Sequence, residues 1–99
     1  MSQSQQHVLK PTGALTMDSA AGHLRSGREM VASGDVLVDL SAISGFDSAA
    51  LALLLDWMRE SAARGGRLTL AAVPPGLASL AQLYGVDELL SPGEVTGKV

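Results

Sequence analysis

Ninety-nine residues suffice for one hydrophobic core and not for two, so the chain is expected to fold as a single domain. Apolar residues make up 46% of it and aromatic residues only 3%, which calls for a core built from Leu, Val and Ala. Ten acidic residues against seven basic ones, scattered singly for a formal net charge of −3, leave no basic stripe to track a phosphate backbone and argue against a nucleic-acid partner.

The absence of cysteine removes disulfides and thiolate chemistry and fits a reducing compartment. The opening "MSQSQQHVLK" is polar and lacks the basic and apolar regions of a secretory signal. The longest apolar run, Ala49 to Leu55, falls far short of the ~20 residues that cross a bilayer. The expected location is therefore the cytoplasm.

In chain order, His7 to Lys10 reads as a short strand, Pro11-Thr12-Gly13 as a turn, and Ala14 to Thr16 as a second extended piece. Asp18 or Ser19 then caps a helix on which Met17, Ala20, Ala21, Leu24, Gly27 and Val31 recur at helical spacing and are expected to face the core. Ser33-Gly34-Asp35 ends it. Val36 to Leu40, "VLVDL", is a compact β-branched and leucine run of the kind that forms a buried parallel strand.

Asp47 or Ser48 opens the clearest helix, which continues to Ala63 and stops at Arg64-Gly65-Gly66. Arg67 to Val73 is another strand. Pro74-Pro75 breaks the chain and leads into a helix carrying Leu77, Leu80, Ala81 and Tyr84, which Gly85 terminates. The segment "VDELL" follows, and Met1 to Gln6 and Ser91 to Val99 are expected to be flexible termini flanking a domain over 7–90. Strands alternating with helices through short joins predict an α/β fold with a largely parallel sheet.

Several chemistries fail on their own requirements. "GEVTGK" near the C-terminus has three residues between its glycines where a phosphate-binding P-loop needs four, and Val99 follows its lysine. Ser48 sits in "GFDSA", without the flanking glycines of a hydrolase nucleophile elbow. The two histidines, His7 and His23, have no carboxylate motif framing them, and the acidic residues do not group into an ion-binding loop, so no metal or other cofactor is expected.

Ser48 retains two readings. It can cap the helix, as Asp47 also can, or it can present a hydroxyl beside the positive end of that helix to a phosphate or a partner. Further along, Leu51, Leu54, Leu55, Met58 and Ala62 share one face sufficient to meet a sheet. Leu53 and Trp57 then project from another side, where they are either core or anchors for a partner. With Ser48 they would form one docking surface.

The run from Val36 to Leu90 resembles the STAS domain family: a strand ending in Asp-Leu-Ser, a short loop, Asp-Ser opening a leucine-rich helix, a second strand, and a helix closing in Gly-Val-Asp-Glu-Leu. "GALTMDSA", Gly13 to Ala20, is similar to the family's Gly-x-Leu strand and first helix. The resemblance implies one mixed, mostly parallel sheet of four or five strands with about three helices mainly on one side. It implies that Ser48, preceded by Asp47, is the family's phosphorylatable or partner-contacting hydroxyl.

"DSAALALLLDW" and "LAQLYGVDELL" are most similar to STAS subunits of phospholipid-moving ABC transporters. That similarity implies a non-enzymatic chain that binds the transporter's ATPase subunit, with Leu53 and Trp57 as anchors and Gln82, Tyr84 and Val86 as neighbours. Such a chain would reach the inner membrane only through the ATPase and permease, and would bind no small molecule itself. The other branch of the family, anti-sigma-factor antagonists, implies phosphorylation of Ser48. Those proteins usually carry glycine where this chain has Ala50, whose methyl is expected to limit the approach of a partner backbone.

Overall fold

The computed structural model describes residues 6–86. Their elements run β1 (Gln6–Leu9), β2 (Gly13–Leu15), α1 (Ala20–Ala32), β3 (Asp35–Asp39), β4 (Ile43–Phe46), α2 (Ser48–Ala63), β5 (Leu68–Ala71) and α3 (Pro75–Leu83). Gln6, expected in the flexible terminus, instead begins β1 opposite Asp35, and the expectations for Met1 to Gln5, Asp87 to Leu90 and Ser91 to Val99 lie outside the described residues. The expected α/β fold with three helices is present.

The five strands divide between two sheets, β1-β3-β5 and β2-β4, and every pairing is parallel. β3 is central, paired with β1 on one side and β5 on the other, and "VLVDL" alternates faces. Val36 and Val38 are fully buried, each beside a β5 partner (Leu68, Leu70), while Leu37 and Asp39 turn the other way. One strand escapes the sequence reading: Ile43–Phe46, expected as loop, pairs with β2. Ser44 and Gly45 interrupt its apolar pattern, and pairing with Gly13–Leu15 supplies the order that propensity does not.

The core is aliphatic apart from one large ring. Leu15, Leu40, Leu54, Leu77, Val36 and Val38 are almost completely buried, and so is Trp57. α1 crosses α2 at Gly27, where a Cβ would overlap the Trp57 indole. The indole N–H donates to the Leu24 carbonyl at 3.3 Å. Gly27 is thus required by close approach of two helices, although glycine weakens an isolated helix.

This packing corrects three expectations. Leu53 and Trp57 do not project as surface anchors: they are 3% and 1% exposed, because α1 covers that side of α2. Conversely, Met17 and Ala21 do not face the core, and Met17 is 74% exposed at the turn before α1. Ala50 is fully buried, so its methyl meets the core and not a partner backbone.

α2 ends where the sequence stops it. Gly65 takes a positive φ of 77°, and the backbone N–H groups of Arg64, Gly65 and Gly66 donate to carbonyls of the last turn. Across the fold, a Cβ at Gly76 would come to 3.0 Å of the Phe46 ring, which places the start of α3 against β4.

Candidate functional site: the start of α2 and the groove beside α1

Asp47 is the cap of α2. Its extended backbone lets Oδ1 accept from Ala49 N–H at 2.8 Å, satisfying a donor in the helix's first turn. Oδ2 accepts from Met17 N–H at 3.2 Å, and the Asp47 N–H donates to the Leu15 carbonyl at 3.2 Å. One carboxylate therefore ties the turn after β2 to the start of α2. Ser19 stiffens the same turn, donating to the Ala14 carbonyl at 2.6 Å and accepting from Thr16 N–H at 3.1 Å.

With capping done by Asp47, the Ser48 hydroxyl is left over. Ser48 is exposed on the first turn and makes no side-chain hydrogen bond among the described residues. It stands at one end of a groove of about 580 Å³ between α1 and α2. Leu53 and Leu24 line the apolar part, Met17 stands at the mouth, and Asp56 and Arg59 lie two to three turns along α2 from Ser48.

The far end is fixed by a bidentate ion pair across the two helices. Arg28 Nε donates to Asp56 Oδ2 at 2.9 Å and Nη2 to Oδ1 at 2.7 Å. These bonds, more than the charge of Arg28 itself, hold the Asp56 carboxyl below its ordinary range, and the same pairing raises the Arg28 guanidinium. Asp39, at the end of β3, is also lowered, chiefly by the backbone N–H of Ser41. Asp39 does not line the groove.

The structure thus brings Ser48, Asp47 and Leu53 to one place, with Leu53 as floor and not as a projecting anchor. Trp57 lies beneath α1. Gln82, Tyr84 and Val86 do not line the groove; Gln82 and Tyr84 are exposed near the end of α3, and Val86 packs against the core. Met17, Ala21, Asp56 and Arg59 were missed, and the charges that interrupt the apolar run of α2 offered the one signal, for Asp56 and Arg59. Neither histidine lines the groove with Ser48, and no group of three metal-binding side chains occurs among the described residues.

Solved structures share this architecture. An anti-sigma factor antagonist from Thermotoga maritima, described as putative, superposes with a TM-score of 0.72 at 17% identity, over 93% of this chain and 85% of that one. A sulfate transporter family protein from Wolinella succinogenes gives 0.69 at 16%, over 87% and 71%. The Bacillus cell fate determinant SpoIIAA in its phosphorylated form gives 0.65 at 22%, over 87% and 80%. No curated protein sequence matches the chain.

The fold is therefore that of a small α/β domain shared with the anti-sigma factor antagonist described as putative and with the sulfate transporter family protein. The family follows from the sequence profile: residues 1–91 match the family STAS_2, described as "Mlab, STAS domain", and the chain belongs to it.

Proposed function

We propose that this chain is a non-enzymatic accessory subunit that binds and supports the ATPase of an Mla-type ABC transporter, which moves phospholipids between the inner and outer membranes and so maintains lipid asymmetry. The observation that carries the reading is the uncommitted Ser48 hydroxyl at the end of an apolar groove, on a chain whose family is described by the name MlaB. An exposed polar group beside apolar surface suits a protein contact. In this reading the chain reaches the inner membrane through the ATPase and permease; among the described residues no helix is long and apolar enough to cross a membrane.

The test is recovery of partners from solubilised membranes by tagged wild type, Ser48→Glu and Ala52→Trp, with identification by mass spectrometry. Ala52 is exposed and lines the groove, so the tryptophan obstructs it without entering the core. Wild type should recover an ABC ATPase with its permease, and both variants should recover less while melting like wild type.

A second reading is an anti-sigma-factor antagonist switched by phosphorylation of Ser48. It is supported by the same free hydroxyl, since added charge there would disrupt docking. Recovery of a soluble kinase or an anti-sigma factor, in place of the transporter, would select it.

A further inference from the structure

Resting on the docking reading above, we infer that the groove between α1 and α2 takes an amphipathic helix of a partner protein whose apolar side chains enter between Met17 and Leu53 and whose carboxylate meets Arg59. The apolar half of the argument is shape. Small side chains, Ala20 and Ala52 among them, open the groove over the buried Leu53, leaving room for side chains of an incoming helix. Met17, 74% exposed at the mouth, is a flexible apolar contact able to adapt to such an insert.

The polar half is charge. Asp56 is the acidic side chain lining the groove, and both its oxygens are occupied by Arg28. Arg59, exposed on the same rim, forms no ion pair or hydrogen bond among the described residues. Its guanidinium offers a fork of donors to an incoming carboxylate. A basic helix would meet Arg59 with like charge. With Asp56 paired, Arg59 is the lining charge left to discriminate in favour of acidic partners.

Selection from a displayed library of helical peptides on the immobilised full chain reads this chemistry directly. The selected peptides should combine apolar residues one turn apart with a flanking Asp or Glu. Their affinity should fall about tenfold or more on Arg59→Glu, and recover when the peptide acid is replaced by Lys. Ala52→Trp should abolish binding. Peptides without an acidic residue, binding indifferent to either substitution, or failure to select any groove-dependent peptide would overturn the inference.

The same variants assayed for recovery of the ATPase separate the two proposals. If wild type recovers the ATPase, Ser48→Glu recovers less, and both Arg59→Glu and Ala52→Trp recover as much as wild type, ATPase binding stands without the groove and the acidic-helix inference is overturned. If acidic peptides bind as described but wild type recovers no ATPase, the inference is supported and the transporter reading falls.

Discussion

A methyl group at Gly27 and the indole of Trp57 would occupy the same space, so the identity of one residue depends on the other. Alanine in place of glycine normally gains about 1 kcal/mol of helix propensity. Here Gly27→Ala is expected to destabilise the fold by about 1–3 kcal/mol, because the overlap with a fully buried ring outweighs that gain. Trp57→Ala should cost about 3–5 kcal/mol and impair folding itself, whatever it does to partners. Urea unfolding of both variants checks these values. At the head of α2, Asp47→Ala should lose about 0.5–2 kcal/mol with the cap, whereas Ser48→Ala should stay within about 0.5 kcal/mol of wild type. A large loss from Ser48→Ala in thermal melts would return Ser48 to a structural role.

Among the elements, those with local punctuation were legible and those defined by tertiary contact were not. Asp47 in front of a leucine-rich run and Gly65 behind it fix both ends of α2 by capping chemistry alone. Which sides of α2 are buried is a different matter. The helix is apolar around most of its circumference, with Leu51 and Leu54 on one side and Leu53 and Trp57 on another, so periodicity could not tell a covered face from an open one. The cover is α1, and what admits it is the missing side chain of Gly27. β4 escaped for a related reason, since its order comes from β2 and not from its own residues. At the seam of the two helices, Arg28 is half exposed and Asp56 largely covered, so a double-mutant cycle with Arg28→Gln and Asp56→Asn should return a favourable coupling that shrinks as salt is added.

For the molecule as a whole, acid should be more damaging than mild alkali. The folded-state value of Asp56 lies below an unfolded value of about 3.9, so the unfolded chain takes up the proton first. The pair's contribution is complete above that pH and is lost as pH falls through the lower folded value. Arg28→Gln should therefore differ from wild type at neutral pH and converge on it in acid, as melting temperatures between about pH 6 and 2 will show. The Asp39 contribution, which comes mainly from a backbone N–H, should persist in that variant.

The strand pairings carry one further consequence, for the order in which the chain folds. His7 meets Val36, Gly13 meets Ile43, and Val36 meets Leu68, so each strand waits for a partner about thirty residues downstream. During synthesis, helical turns can close as soon as they emerge, while β1 remains without a neighbour until β3 arrives and β3 is flanked on one side only until β5 follows. Folding speed should then be governed by the encounter of distant segments at Val36 and Val38. A conservative truncation such as Val38→Ala should slow refolding more than it speeds unfolding in stopped-flow measurements, and the opposite partition would place the rate-limiting encounter elsewhere.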